Sequence, residues 1–210
     1  MFRSVTDAQS GRKAQAARND RLIREAARAV FVDDPDAPIA AVAEHAGVGI
    51  SALYRRYGSK EELLRSLADE GMDRYLALVR DALDDDGDVW AAFRAFLGRC
   101  LETGAGSLTG RLAGRFPVTD DMARKGREIH AATEELLARA RAAGVLRGGV
   151  EVGDVAVLLE YLHSVRIGGA ERRAEIQRRC LDVIVDGLRA GAPLEGAAPD
   201  WTELRNRHDR

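Results

Sequence analysis

The chain has 210 residues, of which 46% are hydrophobic, 31% are charged and 5% are aromatic. A chain of this length buries a core large enough to fold without metal ions or disulfide cross-links, and its wealth of Ala, Leu, Arg and Glu favours helix over strand. The net charge of -2 argues, taken alone, against a nucleic-acid-binding protein.

Charge is nevertheless distributed unevenly along the chain. Residues 1–60 contain ten Lys and Arg against seven Asp and Glu, whereas the remainder contains 22 against 27. A mildly basic amino-terminal part on an acidic body is a weak indication of contact with DNA.

The sequence predicts neither a membrane protein nor a disulfide-linked one. The first residues lack the apolar stretch of a secretory signal, and no apolar run reaches the ~18 residues of a membrane span. We therefore expect a cytoplasmic protein without a membrane partner. The two cysteines, Cys100 and Cys180, fit no metal-ligand or redox spacing, and both are predicted to be buried, inert thiols.

The amino-terminal part predicts three short helices. Residues 1–17 are polar and predict a flexible basic arm. Over residues 19–31, apolar side chains recur at three- and four-residue spacing, which predicts a helix, and the acidic residues and proline at 33–35 end it. Two shorter helices are predicted at residues 38–46 and 50–56.

A long helix then connects this part to the rest of the chain. It is predicted to start at Lys60, with Ser59 and Glu62 as a capping box, and to stop near residue 82 before an acidic run. Residues 104–118 are rich in glycine and predict irregular structure. Further helices are predicted at residues 89–101, 120–143, 154–165 and 171–190.

Residues 39–63 have the spacing of a helix-turn-helix. Gly47 is free to adopt the left-handed conformation that ends the first helix, because it has no Cβ to clash. Leu53 and Tyr57 are predicted to anchor the second helix to the core. Two short helices that cross through a glycine-containing turn form the motif whose second helix enters the DNA major groove.

The run AGVGISALYRRYGSKEELL resembles the signature of the TetR family of bacterial transcriptional regulators. In that signature AGV, a small residue, LY, an aromatic residue and SKEEL follow in this order, and the preceding AARAVF is similar to the family's first helix. The resemblance covers about residues 19–68; the rest of the chain is similar only in length and helical content. It implies a homodimer with two DNA-binding heads and a ligand-binding helical body.

Together these features predict an all-α fold. An N-terminal three-helix helix-turn-helix domain is joined by a long helix to a C-terminal helical ligand-binding and dimerisation domain. The expected domains are residues 1–65, of which 1–17 are the arm, residues 66–191, and a C-terminal tail at 192–210.

The resemblance also implies which residues contact DNA. Tyr54 and Lys60 correspond to positions at which the family contacts phosphates, and Ile50, Ser51 and Arg55 to positions at which bases are read. Arg56 is a candidate for a guanine or phosphate contact, with a solvated or salt-bridging arginine as the alternative. The predicted set is Gly49, Ile50, Ser51, Ala52, Tyr54, Arg55, Arg56 and Lys60.

This chain departs from the family pattern at two places. Gly49 stands where the family commonly has Ser or Thr, which makes it a weaker helix cap, and residues 37–38 are Ala-Pro where Thr or Ser is frequent. The resemblance therefore does not imply the two phosphate contacts that the family commonly makes from these positions. Arg12, Lys13 and Arg18 are candidates to replace them.

The body contains a candidate ligand pocket but no catalytic constellation. Pockets are mostly apolar with a few placed polar groups, although an aromatic residue at helical spacing is more often core. Glu160 and His163 form a single Glu-x-x-His pair, whereas a di-metal site needs two, so no metal site is predicted. The pocket candidates are Phe93, Phe96, Cys100, Phe116, Met122, His130, Tyr161 and His163.

We therefore expect a regulator, most simply a repressor, that binds a palindromic operator in double-stranded DNA as a homodimer and is released by a small molecule of unknown identity. No other cofactor is expected. Dimerisation is expected through residues 152–167 and 171–190, which would form a four-helix bundle between subunits. The alternatives are a regulator without a ligand, an activator, and an all-helical small-molecule-binding protein or enzyme whose N-terminal bundle is only structural.

Overall fold

The computed structural model describes residues 5–106, 110–112 and 114–206, and within these ranges the chain is all-α, as predicted, with nine helices and no strand. None of the helices so described is long and apolar enough to cross a bilayer. Two compact units divide the chain at Leu67 and Ala68, inside the long helix. The helices are α1 (Val5–Asp33), α2 (Ile39–Ala46), α3 (Ile50–Arg56), α4 (Lys60–Leu83), α5 (Val89–Thr103), α6 (Asp120–Ala142), α7 (Val152–Ser164), α8 (Ala170–Leu188) and α9 (Trp201–Asn206).

Helix α1 is longer than its apolar pattern predicts. It begins at Val5, so residues 5–17, for which a flexible arm is predicted, are helical in the structure, while residues 1–4 lie outside the described ranges. The segment 14–17 is Ala-Gln-Ala-Ala, and alanine has the highest helix propensity. Propensity therefore extends the helix beyond the stripe that packs on the core.

The turn between α2 and α3 has the predicted geometry. Gly47 has φ 64° and ψ 31°, and its N–H donates to the carbonyl of Glu44 at 3.1 Å, while Val48 N–H donates to that of Ala43 at 3.0 Å. Gly49 precedes α3 without a side-chain cap. The left-handed glycine thus ends α2 and directs the chain into α3, as the sequence predicts.

The first unit is built around side chains from all of its helices. Leu53 and Tyr57 are buried, as predicted for the anchors of α3. At the start of α4, Glu62 N–H donates to Ser59 Oγ at 3.1 Å, but Glu62 Oε2 accepts from Gly58 N–H and not from Ser59. One hydrogen bond of the predicted capping box is therefore present, and in the other the donor is the N–H of Gly58 in place of that of Ser59. Other fully buried members of this core are Ile23, Phe31, Val42, Leu63 and Leu64.

The second unit packs α5 against α6, α7 and α8. Ion pairs add to this core where α6 meets the part of α4 in the same unit. Lys125 Nζ lies 2.5 Å from a carboxylate oxygen of both Asp69 and Asp73. Burial of the ammonium lowers the pKa of Lys125, but the bonds to the two carboxylates outweigh it and the pKa is raised. The core includes Val79, Trp90, Phe93, Phe96, Leu97, Leu136, Leu137, Val155, Leu159, Leu162, Leu181 and Val185.

Helix α9 was not predicted. Its start carries a capping box in which Asp200 Oδ1 accepts from Glu203 N–H at 2.8 Å and Glu203 Oε2 accepts from Asp200 N–H at 2.8 Å. This Asp-x-x-Glu spacing is visible in the sequence. It was overlooked because no apolar periodicity follows it.

The turn at Gly47 generates a stability prediction. Replacing Gly47 with Ala places a Cβ at φ 64°, which should lower the free energy of unfolding by about 1–2 kcal/mol. Gly98→Ala is the matched control, because this helical glycine has open space around its Cβ position. The control should be stabilised by about 0.5–1 kcal/mol. Urea unfolding followed by circular dichroism measures the free energy of unfolding of both variants. Equal changes of the same sign would contradict the role given to the left-handed conformation of Gly47.

Candidate nucleic-acid interface

Helix α3 presents one face to solvent and the other to the core. Ile50 is 40% exposed and Tyr54 48% exposed, whereas Leu53 is fully buried. Ser51 and Arg55 are also exposed. These four exposed positions lie on neighbouring turns of the helix. The structure thus brings four of the predicted DNA-contacting side chains onto one surface, with Gly49 exposed just before them and Ala52 half-buried beside them.

Arg56 is engaged within the first unit. Its Nε lies 2.6 Å from Asp20 Oδ1, and its guanidinium lies 4.8 Å from the centroid of the Tyr57 ring. The salt-bridging alternative is therefore what the structure has. About half of the Arg56 side chain is still exposed, so it borders the face of α3 while holding the helix in place.

The partner of Arg56 is a buried carboxylate that the sequence analysis did not single out. Asp20 is only 7% exposed, and a buried charge is costly unless donors surround it. Its oxygens accept from the guanidinium groups of Arg24 and Arg56 and, at 2.8 Å, from the Tyr57 hydroxyl. We call this group of four side chains the Asp20 cluster. It joins α1 to the C-terminal end of α3.

The cluster also affects the ionisation of Tyr57. Burial of the hydroxyl, together with its bond to the Asp20 carboxylate, raises the pKa of Tyr57 to about 12. The hydroxyl therefore stays a neutral donor at physiological pH. One signal in the sequence does point to Asp20, because it precedes Ile23, Ala27 and Phe31 on the buried stripe of α1 at helical spacing.

Lys60 does not lie with the exposed side chains of α3. Its Nζ donates to the carbonyl oxygens of Asp36 at 3.0 Å and Ala37 at 2.7 Å, and it lies 5.4 Å from the centroid of the Phe31 ring. The resemblance implied a phosphate contact. In the structure this ammonium holds the turn between α1 and α2, and its contact with a phosphate stays a prediction.

The candidate pocket residues of the second unit fall into two groups. Phe93, Phe96 and Cys100 lie together on α5 and are fully buried, and Phe116 and Met122 are buried at 9% and 6% exposure. Burial raises the pKa of the Cys100 thiol, as expected for an inert thiol. Cys180, by contrast, is only partly buried, so the prediction that both thiols are buried is wrong for it.

The other three pocket candidates do not join this buried group. Tyr161 is 68% exposed and His130 is also exposed. The half-buried ring of His163 has Nδ1 at 2.6 Å from the Leu159 carbonyl oxygen and Nε2 at 3.3 Å from that of Leu101, and burial lowers its pKa. Throughout the ranges that the structure describes, no three His, Cys, Asp or Glu side chains converge to hold a metal ion.

A buried hydroxyl pair beside the aromatic group was missed. Tyr75 Oη lies 3.3 Å from Thr133 Oγ1, which donates to the carbonyl of Ile129 at 2.8 Å, and the Tyr75 ring meets that of Phe96 edge-on at 5.3 Å. The sequence feature that indicates this pair is Thr133, a hydroxyl residue on the otherwise apolar face of α6. A separate groove of about 380 Å³ contains none of the predicted pocket residues; it is lined by Ala91, Arg94, Ala95, Gly98, Glu102, Arg178, Leu181 and Asp182.

Two family models match the chain. Residues 23–67 match the model described as bacterial regulatory proteins of the tetR family. Residues 85–190, half of the chain, match the C-terminal domain of SbtR-like transcriptional regulators. The first match contains all of α2 and α3, and the second contains α5 to α8.

Individual proteins are similar over different lengths. The HTH-type transcriptional repressor LfrR of Mycolicibacterium smegmatis is 37% identical over 87 residues, which are 41% of this chain and 46% of that protein. The alignment thus spans less than half of this curated relative.

Solved structures are similar over most of their length. The TetR transcription regulatory protein from Mycobacterium vanbaalenii is 27% identical with a TM-score of 0.54, over 84% of this chain and 98% of that one. LfrR from Mycobacterium smegmatis in complex with proflavine is 24% identical with a TM-score of 0.55, over 79% and 95% respectively. The likeness to LfrR at this identity is one of fold.

The Asp20 cluster should contribute measurably to the stability of the first unit. Asp20→Asn leaves the guanidinium groups of Arg24 and Arg56 without their counter-charge, so it should lower the free energy of unfolding by about 2–3 kcal/mol. Glu25→Gln is the matched control on the same helix, because its pair with Arg21 at 3.7 Å is exposed and worth under about 0.5 kcal/mol. Urea unfolding measures both, and a similar small loss for the two variants would refute the importance of the cluster.

Proposed function

Because the chain belongs to the TetR family of bacterial transcriptional regulators, we propose that it is a repressor that binds a palindromic operator as a homodimer and is released by a small molecule. The observation that carries this proposal is the exposed face of α3, with Ile50, Tyr54 and Arg55 on a helix fastened to the core from behind. A regulator of chromosomal genes works in the bacterial cytoplasm, so we propose that location too.

Each side chain on this face suits a different part of a DNA site. Arg55 is placed to donate two hydrogen bonds to a guanine edge or to a phosphate, and Ile50 to pack on a thymine methyl group. The hydroxyls of Ser51 and Tyr54 suit bases or phosphates. The exposed half of Arg56 borders the same face and adds a positive charge next to the DNA backbone.

Lys60 contributes to DNA binding in two ways. It holds the turn before α2 through the carbonyl oxygens of Asp36 and Ala37, which fixes where the helix-turn-helix begins. Its charge also adds to the attraction for phosphates, which acts over about a Debye length of 8–10 Å.

The proposed dimer uses an apolar surface that the second unit leaves open. Tyr161, in α7, is 68% exposed and Val183, in α8, is 71% exposed. Contiguous exposed apolar patches on soluble proteins usually mark interaction sites, and helix pairs from two subunits form four-helix bundles. We define the α7/α8 apolar face as the exposed Tyr161 and Val183 together with four partly buried neighbours, Leu158, Ile176, Cys180 and Ile184, of which Leu158, Cys180 and Ile184 also pack against the core.

The proposed effector site is the buried aromatic group on α5. Phe93, Phe96 and Cys100 supply apolar walls, and the Tyr75–Thr133 hydroxyl pair supplies polar groups inside them, which is the composition of a small-molecule pocket. The proflavine complex of LfrR supports an aromatic effector. Coupling to DNA release is expected to be about 1–3 kcal/mol.

The alternative of a helical enzyme has little to support it. The family is one of DNA-binding regulators, and the α3 face gives the first unit a purpose beyond structure. The Arg55 experiment below also tests this alternative, since an enzyme with a structural N-terminal bundle would bind DNA weakly whatever residue stands at position 55.

Arg55→Ala should weaken operator binding specifically. Duplex DNA from upstream of the gene is titrated by fluorescence anisotropy at several salt concentrations. Loss of the guanidinium should cost about 1–3 kcal/mol, which is about 5–150-fold in affinity, and reduce the salt slope by about 1 if the contact is to a phosphate. Arg127→Ala, an exposed arginine of the second unit, is the control and should bind as wild type. Equal affinities for both variants would contradict the assignment.

Val183→Glu should break the dimer. A carboxylate placed in an apolar interface is desolvated at a cost of several kcal/mol, so the dimer dissociation constant should rise by about 100-fold or more. Val118→Glu makes the same change at a valine that is 60% exposed outside the α7/α8 apolar face, and it should have no effect. Sedimentation equilibrium measures both; a Val183→Glu chain as dimeric as wild type would rule out this interface.

A further inference from the structure

Residues 192–206 follow α8 and lie beyond residue 190, where the match to the C-terminal family model ends. We call this segment the C-terminal strap. It folds back over the turn between α6 and α7 and onto the first turn of α7.

Hydrogen bonds attach the strap to the α6–α7 turn. Arg147 Nε donates to the carbonyl oxygen of Ala192 at 2.6 Å, and its Nη1 donates to that of Gly187, in α8, at 3.2 Å. Leu194 N–H donates to the carbonyl of Gly148 at 2.9 Å. One arginine side chain thus ties the turn both to the end of α8 and to the beginning of the strap.

Two glycines let the backbone of the strap approach closely. A Cβ on Gly149, which has φ 81°, would lie 3.0 Å from the Leu194 carbonyl oxygen. A Cβ on Gly153, in the first turn of α7, would lie only 1.9 Å from the Pro199 carbonyl oxygen and 2.9 Å from its carbon. Real Cβ atoms do not approach backbone this closely, so a side chain at residue 153 must displace the strap.

Both ends of this contact are fixed by helix caps. At the start of α7, Glu151 N–H donates to Asp154 Oδ2 at 2.9 Å. Directly after Pro199, the Asp200–Glu203 capping box begins α9. The two segments that meet at Gly153 and Pro199 are therefore each held by a helix cap, one at the start of α7 and the other at the start of α9.

We propose that the C-terminal strap is a positioning element of the subunit interface, which holds α7 so that its part of the α7/α8 apolar face meets a second copy of the chain. This inference rests on the proposed dimer. Leu158 lies five residues after Gly153, or about 7.5 Å along the helix, so the start of α7 sets where this face lies. Gly148 and Gly149 precede α7 and offer little resistance to a shift once the strap is gone.

Two variants remove the strap contact by different means. Gly153→Ala inserts a Cβ beneath Pro199, and truncation after Ala190 deletes the strap but keeps all of α8. Gly98→Ala is the matched control, because it adds the same methyl group to a helix in open space. Two readouts are compared: amide hydrogen exchange over residues 146–160, and the dimer dissociation constant from sedimentation equilibrium.

In both variants the amide hydrogens of residues 146–160 should exchange about tenfold faster than in the wild type, because the strap no longer opposes local opening. Both variants should also raise the dimer dissociation constant by about tenfold. Gly98→Ala should change neither. Unchanged exchange in both variants would overturn the strap contact. Faster exchange in variants that dimerise as tightly as the wild type would overturn only the proposed effect of the strap on the interface. A wild-type chain that is monomeric would overturn both the proposed dimer and the positioning role of the strap.

Discussion

The buried carboxylate of Asp20 is the constraint on which the DNA-binding unit depends. Helix α3 has seven residues, too few to be stable by itself, so tertiary contacts must hold it. Leu53 supplies apolar packing from one side, and the Asp20 cluster fixes the C-terminal end through Arg56 and Tyr57. A charge in the core is tolerated because three donors surround it. The result is a short helix whose outer face is free to meet DNA.

Much of this unit follows from residue spacing, and the remainder does not. The left-handed turn at Gly47 and the separation of buried Leu53 from exposed Tyr54 follow from helical periodicity and from the conformational freedom of glycine. The partners of Asp20 and Lys60 do not, because spacing along one helix identifies a face but not the residue that meets it from another helix. For the same reason the resemblance implied a phosphate contact for Lys60, while the structure engages it with backbone carbonyls.

In the second unit, the sequence predicts which side chains are apolar enough to be buried but not which part of the protein buries each of them. Phe93 and Phe96 are fully buried, as their helical spacing indicates, whereas Tyr161 is exposed on a helix whose sequence is apolar on nearly all sides. That mismatch is resolved if a second subunit completes the core, which is why the α7/α8 apolar face supports a dimer. The position of the strap cannot be predicted for a related reason, since its packing depends on the close approach of Leu194 to Gly149 and of Pro199 to Gly153, which leaves no apolar pattern in the sequence.

We infer that this chain recognises a particular DNA sequence as a two-fold dimer. The most direct test is to incubate the purified protein with sheared genomic DNA, recover the bound fragments and sequence them. We expect a few fragments to be strongly enriched and to share a palindrome whose half-sites are about 34–36 Å apart, or a multiple of that distance. Recovery of fragments in the proportions of the input DNA would contradict it.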